Sequence, residues 1–520
     1  MMSNRYSDIL FQLIHSLEKA EKRHFKLYIK RSSGKEDLKI TQLFDALGKM
    51  RTYDEKQLLK KLPGIEKPQL SNLKTHLYKE IMASLRLLKS TDSIDLQLNE
   101  QHDYAHILYK KGLLAQSIRI IEKAKDTARA QYKFQHLAQL IALEKRIETL
   151  HITGTMLEKA DLLAEEAIQV SQRTNSMVKL SNLALQLYAW HIRNGHARDE
   201  EDEKGIREFF YGKITASELN PDGFYEALYL YQCFSTYAFI RQDFLMYYRY
   251  SQKCVNLFHA EPAMIRVETG NYIKALHNLL NAHFDLRNHK LFEITLQQFK
   301  DFAQTDRVLQ NDNFRIQCFV YIANAKLNQH FMRGSFKEGL SLLPELEKNI
   351  AENELYLDKH RILVFNYKMG LMHLGSGDPG RSIDYLQRII NDSSDLRYDL
   401  QCYARLLHLM AHYELGNVEL MEPLSRSVYR FMSKKKNFTV VEDEMLKFLR
   451  KRLRVNSAAF NTELNGFLQR VKQFEHSRFE TRTLAYVDVI SWVESKVNRS
   501  TISEVIHQKY INSRKRNYKQ

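Results

Sequence analysis

The chain has 520 residues, more than a single hydrophobic core usually holds, so several domains or an extended array of repeats are expected. With 44% apolar and 27% charged residues the composition excludes a disordered chain, and no run reaches the roughly 18 apolar residues that span a membrane. The net charge of +16 lies mostly at the ends: residues 1–90 hold 19 Lys and Arg against 10 Asp and Glu, and residues 501–520 hold five against one.

The chain uses few of the residues that break helices. Its 18 Gly and 7 Pro fall below the average usage of roughly 7% and 5%, which is typical of long helices joined by short loops. We therefore expect an all-α fold. The N-terminus has the spacing of an amphipathic helix and no secretory signal. Four widely separated cysteines form no CxxC pair, which predicts a reduced cytoplasmic protein with buried thiols: Cys233, Cys254, Cys318 and Cys402.

Residues 1–90 predict a basic helical domain, with helices near residues 6–18, 19–31, 37–49, 54–61 and 67–89. Within it, YDEKQLLKKLPGIEKPQLSNLKTHLYKEIMASL has a short helix, a Pro63-Gly64 turn and a longer basic helix. This order resembles a helix-turn-helix, whose second helix enters the major groove of DNA. The resemblance implies that helix residues face bases or phosphates: Gln69, Ser71, Asn72, Lys74, Thr75 and His76. A preceding basic stripe would contact phosphates: Lys22, Arg23, Lys26, Lys30 and Arg31.

A second interpretation of residues 1–90 is a helical cap that seals a repeat array with a polar outer face. We favour the cap, although a cap does not require so large a basic excess. Bacterial regulators that join a helix-turn-helix to a helical sensing array offer an analogy for the first interpretation. Residues 499–520 are interpreted as a basic tail, with no site assigned to it.

Residues 91–498 show apolar residues at helical spacing almost throughout, as in the series Leu180, Leu183, Leu187 and Trp190. Candidate turns recur every 39 to 47 residues: Gly112, Gly154, Gly195, Gln242, Asn288, Gly334, Gly377 and Gly416. Such a period, with one helical hairpin per unit, predicts an α-solenoid, in which stacked hairpins bury a continuous core.

Three of these units carry small or apolar residues where two helices would approach. They are Ala105, Ser117, Ile121 and Ala124 around Gly112; Gly339, Leu343 and Leu346 around Gly334; and Gly370, Ser382, Leu386 and Ile389 around Gly377. In these units the chain resembles the tetratricopeptide repeat family over about residues 95–475. Its units are longer than the 34 residues of that family, and Leu327 replaces a small residue. The resemblance implies a right-handed superhelix of eight or nine TPR-like hairpins.

The segment GSGDPGRS, residues 375–382, resembles a phosphate-binding loop with Arg381 in place of the lysine. Such a loop needs a preceding strand, whereas RILVFNYKMGLMHL before it has a helical pattern. We interpret the segment as a repeat turn. No zinc, kinase, hydrolase or dinucleotide motif is present, so we predict no catalytic residue, no metal site and no cofactor.

Tyrosines are concentrated in residues 223–260, and those that do not fit the core would anchor a partner: Tyr225, Tyr229, Tyr237, Tyr247, Tyr248 and Tyr250. The alternative, which we favour, is that they fill the core of long hairpins. The sequence therefore predicts a non-enzymatic scaffold or adaptor that binds a protein or peptide on the concave surface of a solenoid. A nucleic-acid-associated regulator that binds through residues 1–90 is the alternative, and no membrane partner is expected.

Overall fold

The computed structural model is all-helical in the part of the chain that it describes, and no strand occurs there. The described residues are 8–30, 35–89, 93–150, 156–215, 219, 221, 223–392, 397–434, 439–451, 457–475, 477, 479–480 and 487–517. They form two compact units, Met1–Thr174 and Asn175–Gln520. Arg31 and Gly154, which the sequence singled out, lie outside the described residues.

Unit 1 contains eight helices and the first half of a ninth. They are α1 (Ile9–Ser16), α2 (Lys19–Lys30), α3 (Lys35–Gly48), α4 (Glu55–Lys61), α5 (Lys67–Leu88), α6 (Ile94–Lys110), α7 (Leu114–Ala130), α8 (Phe134–Glu148) and α9 (Met156–Asn194). The five helices predicted between residues 6 and 89 are confirmed. Helix α9 is unbroken over 39 residues, where the repeat period predicts a helical hairpin. Its apolar spacing continues without a glycine or proline, so nothing in its sequence ends the helix.

Unit 1 also holds a buried group of charges. The Lys125 ammonium of α7 lies 2.6 Å from the Glu144 carboxylate of α8 and 2.7 Å from the Glu166 carboxylate of α9. The side chain of Lys125 is 6% exposed and that of Glu144 is 3% exposed. These ion pairs join three helices, and Arg129 of α7 and Lys159 of α9 add further cations to the group, 2.6 Å from Glu166 and 3.8 Å from Glu144.

Unit 2 contains the second half of α9 and eighteen further helices among its described residues. They are α10 (Glu200–Tyr211), α11 (Phe224–Ile240), α12 (Phe244–Ala260), α13 (Pro262–Val267), α14 (Thr269–Asp285), α15 (His289–Ala303), α16 (Asp306–Leu309), α17 (Asp312–Arg333), α18 (Phe336–Gly339), α19 (Leu343–Glu352), α20 (Lys359–Ser376), α21 (Pro379–Ile390), α22 (Tyr398–Glu414), α23 (Val418–Lys434), α24 (Val440–Lys451), α25 (Ser457–Lys472), α26 (Val489–Val497) and α27 (Ile502–Asn517). A single 3₁₀ turn, Leu340–Leu342, links α18 to α19.

The helices of unit 2 pack mainly on their neighbours in the chain. Helix α11 packs on α12, α12 on α14, α14 on α15 and α17, and α20 on α21, in an order that continues to α27. Asp and Asn side chains accept backbone N–H groups at many helix starts, as Asp358 does from Arg361 N at 2.8 Å. This neighbour-to-neighbour packing is consistent with a helical repeat fold.

The last helix, α27, returns to an earlier part of unit 2. It packs on α17 and α20. The Ser503 hydroxyl donates to the Gly334 carbonyl at 2.5 Å, and the His507 ring donates to the Arg333 carbonyl at 2.9 Å. Residues 502–517, which the sequence assigned to a basic tail, are therefore helical. Ile502 and Ile506 explain the difference, because they lie four residues apart and pack on an apolar cluster.

The turns between helices use the left-handed backbone conformation. Gly112 has φ +75°, Gly334 has φ +68° and Gly377 has φ +91°. Gly195, Gly416 and Gln242 also have positive φ, whereas at the predicted turn of Asn288 the left-handed residue is its neighbour Arg287. Because a Cβ atom is strained at positive φ, glycine suits these positions.

We expect Gly334→Ala to destabilise the protein more than Gly112→Ala. Both changes place a Cβ at positive φ, which costs about 1 kcal/mol. At Gly112 the Cβ meets no atom within 4 Å, but at Gly334 it would lie 2.6 Å from His507 N and Ser503 O of α27. This overlap adds about 1 kcal/mol. Thermal unfolding followed by circular dichroism measures the difference, and equal melting temperatures would contradict the contact with α27.

Candidate functional site

Unit 2 contains a cavity of about 740 Å³ that is open to solvent, a volume within the usual range for ligand sites. Its walls come from the second half of α9 and from α11, α14, α17 and α20, and α26 and α27 add Trp492, Ile502 and Ile506. Many of the lining side chains are polar. The cavity is the most developed site for a ligand in the part of unit 2 that the structure describes.

Helix α14 contributes a polar stripe that runs along the cavity wall. Lys274, Asn278, Asn281 and Asp285 follow one another at intervals of four, three and four residues, which places them on one helix face. The opposite face is apolar and buried, with Tyr272, Ile273, Leu276, Leu279 and Leu280 in the core. Burial of that face fixes the direction of α14, so the stripe faces the cavity. We call these four residues the α14 stripe.

Helices α17 and α20 place more polar groups in the same cavity. The Lys368 ammonium donates to the Asn328 side-chain oxygen at 2.7 Å. The Asn324 amide donates to the Val320 carbonyl at 2.9 Å. Arg361 hydrogen-bonds to the Tyr321 hydroxyl. These contacts hold the side chains in place and leave their remaining polar atoms directed at the cavity.

Several buried polar atoms of the cavity have no hydrogen-bond partner among the described residues. They are Asp285 Oδ2, Asn324 Oδ1, His191 Nδ1 and His360 Nδ1. A buried polar atom without a partner costs roughly 1–3 kcal/mol, so such atoms are rare in stable folds. Four of them in one cavity mark positions where bound water or a polar ligand would supply the missing hydrogen bonds.

The charged groups of the cavity have strongly altered acidities. Burial raises the pKa of Asp285 to about 7, although the positive charges of Arg287 and Lys368 oppose the change. Burial lowers the pKa of Lys368 to about 7, and Asp285 opposes that change. These two groups do not form an ion pair with each other. With pKa values near 7, each group is about half ionised at neutral pH, so a charged ligand group beside either one would shift its ionisation.

Burial also lowers the pKa values of two further groups of the cavity, Lys274 and His277. Lys274 is reached by solvent through the cavity, but the protein atoms around it lower the pKa of its ammonium. The His277 ring stacks on Tyr321 at a centroid distance of 3.9 Å. Burial, with the charges of Lys368, Lys274 and Arg361, lowers the pKa of His277 to about 3, so this ring is neutral at pH 7.

Three of the six predicted tyrosines are core residues. Tyr225, Tyr237 and Tyr247 are at most 5% exposed. Tyr229 and Tyr247 line the cavity. Tyr248 and Tyr250 lie at a separate shallow depression on α12. Aromatic packing between α11 and α12 explains this burial, for example Phe234 on Tyr250 at a centroid distance of 4.5 Å.

Two of the predicted basic residues of unit 1 form ion pairs. Lys26 pairs with Asp45 at 2.7 Å, and Lys74 pairs with Asp8 at 2.7 Å and also contacts Tyr53. Arg23 and Lys30 are exposed, and Lys22 is half-buried. On α5 the predicted base-facing residues Gln69, Ser71, Asn72 and Thr75 are exposed or half-buried, and His76 contacts Glu80 at 3.3 Å.

The segment that resembles a phosphate-binding loop connects two helices. Helix α20 ends at Ser376 and α21 begins at Pro379, so no strand precedes the turn. The Asp378 carboxylate accepts a hydrogen bond from Arg381 N at 3.1 Å, so a negatively charged group already caps the start of α21. Ser382 is buried. This arrangement offers no phosphate cradle.

Within the described ranges, no group of three or more His, Cys, Asp or Glu side chains converges as a metal site requires. The helices of this same part of the chain are all too short or too polar to cross a bilayer. No family model matches the chain, and comparisons with curated proteins and with solved structures give no match. The described part of the chain is all-α, and the cavity of unit 2 is its candidate site.

Proposed function

We propose that this protein is a non-enzymatic adaptor that binds a peptide in the cavity of unit 2. The observation that carries the proposal is the set of side-chain amides on neighbouring helices around one cavity: Gln232, Asn271, Asn278, Asn281, Asn324 and Asn328. A side-chain amide offers both a donor and an acceptor, as a peptide bond does. Some of these groups are already used within the protein, as where Gln232 donates to Asn271 at 3.1 Å. Those that remain open, such as the Asn324 side-chain oxygen, would meet the repeating polar groups of an extended peptide.

Apolar groups beside these amides fit the side chains of a peptide. Leu185 is 67% exposed and Tyr188 is 51% exposed, and both line the cavity from α9. Large apolar side chains that remain exposed in a concave site are typical of binding surfaces. A TPR-like solenoid, which the sequence resemblance implies, would present its concave face in the same way.

The proposal predicts that Asn278→Leu lowers peptide binding by about tenfold, the loss expected when one or two hydrogen bonds disappear. Asn278 has no hydrogen bond of its own among the described residues, so the change should leave the fold intact. The measurement is retention of a random-sequence peptide pool on the immobilised full chain, read by mass spectrometry. Asn256→Leu, at an exposed position of α12, is the matched control. Absence of retention by the unchanged protein would reject the proposal.

A nucleic-acid-associated regulator is the second candidate function. The outer face of α5 favours it, because Gln69, Ser71 and Asn72 are accessible to solvent. Fluorescence anisotropy of the full chain with a mixed-sequence duplex at two salt concentrations tests it. Binding that weakens steeply with salt, and weakens further in Arg23→Ala, would support this function. Salt-independent or absent binding would leave unit 1 as a cap.

A further inference from the structure

We propose that the peptide is a free one of about five residues, held at both ends by the α14 stripe, with its ammonium at Asp285 and its carboxylate at Lys274. This inference rests on the proposed function, because it names which peptides the cavity of unit 2 selects. It differs from adaptor binding of a loop or an internal segment, which has no charged ends.

The two ends of the α14 stripe carry charges that no described residue neutralises by contact. Asp285 Oδ2 is buried and accepts no hydrogen bond. The Lys274 ammonium has no hydrogen bond or ion pair within the described part of the chain, and it faces the cavity. Charge-assisted hydrogen bonds are shorter and stronger than hydrogen bonds between neutral groups. A ligand with a cation at one end and an anion at the other satisfies both groups.

The length of the ligand follows from the helix geometry. Lys274 and Asp285 are eleven residues apart on α14, which corresponds to about 16 Å at 1.5 Å per residue. An extended peptide covers 3.3–3.6 Å per residue, so about five residues span this distance. Asn278 and Asn281 lie between the two charges, where they face the peptide bonds of such a ligand.

The direction of the ligand follows from the helix dipole. Asp285 is the last residue of α14, where the helix carries a partial negative charge. A carboxylate at that position is unfavourable on its own, but a ligand ammonium is stabilised by both the carboxylate and the helix end. The Asn324 side-chain oxygen, which also lacks a partner, is a second acceptor in the same cavity.

Lys368 does not neutralise the Asp285 carboxylate, as the ligand ammonium would. Its ammonium is held by the Asn328 side-chain oxygen at 2.7 Å and forms no ion pair with Asp285. Lys274 is too far along the same helix to reach Asp285. Asp285 and Lys274 therefore stay apart in one cavity with no ion pair between them, which lowers the stability of the protein. A ligand that contacts both groups explains why they are kept.

The test uses random-sequence pentapeptide pools with four end chemistries: both ends free, amino end acetylated, carboxyl end amidated, and both ends blocked. Each pool is passed over the immobilised full chain, and retained peptides are counted by mass spectrometry. We expect strong retention of the pool with both ends free. Acetylation or amidation should each lower retention by about tenfold, the effect of losing one charge-assisted contact.

Two variants test which residue contacts each end of the peptide. Asp285→Asn should bind acetylated and free amino ends alike while it still discriminates against amidation. Lys274→Met should show the reverse pattern. Lys290→Met, at an exposed position outside the cavity lining, is the control and should behave as the unchanged protein. A variant that loses discrimination at both ends, or at the wrong end, would overturn the assignment of the ends.

Pools of three to eight residues complete the test, and retention should peak near five. Equal retention of all four end chemistries, or retention that rises steadily to eight residues, would overturn this inference and leave the proposed function standing. If the unchanged protein retains no pool, the proposed function and this inference both fail.

Discussion

Lys125→Met will lower the free energy of local unfolding in unit 1 by about 3–5 kcal/mol, the cost of removing one partner from a buried ion pair. The change removes the ammonium that now lies 2.6 Å from the buried Glu144 carboxylate, which among the described residues keeps only Lys159 at 3.8 Å. Glu166 keeps its ion pair with Arg129 at 2.6 Å, so the expected loss comes mainly from Glu144. Hydrogen exchange read by mass spectrometry on peptides from α7 and α8 measures the loss.

The control for this prediction is Lys123→Met, on the exposed face of the same helix, which should change the exchange of α7 little. The double change Lys125→Met with Glu144→Leu should recover part of the loss, since two buried charges then leave together. Equal exchange in Lys125→Met and in the unchanged protein would show that Lys125 is not the cation that joins these helices.

Helices could be predicted from the sequence because their cause is local. Few glycines, few prolines and apolar residues at helical spacing were enough for an all-α fold. Glycines at the ends of helices also fixed several turns, since positive φ at Gly112, Gly334 and Gly377 depends on the turn alone. The unbroken α9 was missed because a regular spacing of turns was extended across a segment that contains no helix breaker.

The cavity could not be predicted, because a polar stripe on a helix has two explanations. Lys274, Asn278, Asn281 and Asp285 have the spacing of an ordinary solvent-facing surface. Only the packing of α9, α11, α17 and α20 around α14 distinguishes a cavity wall from an outer face. Residues that are far apart in the sequence, such as Asp285 and Lys368, line one cavity through this packing and leave no local signal.

The sequence also could not decide whether the tyrosines of residues 223–260 lie in the core or at a binding surface. A dense set of aromatic residues in residues 223–260 suggested a partner groove, but aromatic rings serve equally to fill the space between long helices. Tyr237 is 0% exposed and stacks on Phe210 at a centroid distance of 4.2 Å. The chain alone does not tell whether a ring faces a neighbouring helix or a partner, since both environments select the same residue type.

Asp285→Asn will raise the free energy of unfolding in the absence of ligand, by about 2–3 kcal/mol at pH 8. The pKa of Asp285 is about 7 in the folded protein and near 3.9 in an unfolded chain. A carboxyl group with this difference in pKa lowers the free energy of unfolding by at most roughly 4 kcal/mol. The full effect is reached at a pH where the group is ionised in both the folded and the unfolded protein. The gain is smaller than this limit because Asp285 is only half-buried, so solvent in the cavity screens its carboxylate.

The pH dependence identifies the ionisation of Asp285 as the cause. Between pH 4 and pH 7 the folded protein binds the proton more tightly than the unfolded chain, so the unchanged protein loses stability as the pH rises through this window. The amide that replaces the carboxylate in the variant does not titrate. The advantage of Asp285→Asn should therefore be small at pH 4, grow up to about pH 7 and level off by pH 8.

Urea denaturation followed by circular dichroism at pH 4, 6 and 8 measures this advantage, with Asp384→Asn at an exposed position of α21 as the control. The control should show no gain at any pH. A gain that is equal at all three pH values would mean that Asp285 is not held as an unpaired carboxylate. The same change removes the proposed contact for a ligand ammonium. Asp285→Asn should therefore raise the free energy of unfolding and weaken peptide binding, as expected where a protein keeps a destabilising charge for its function.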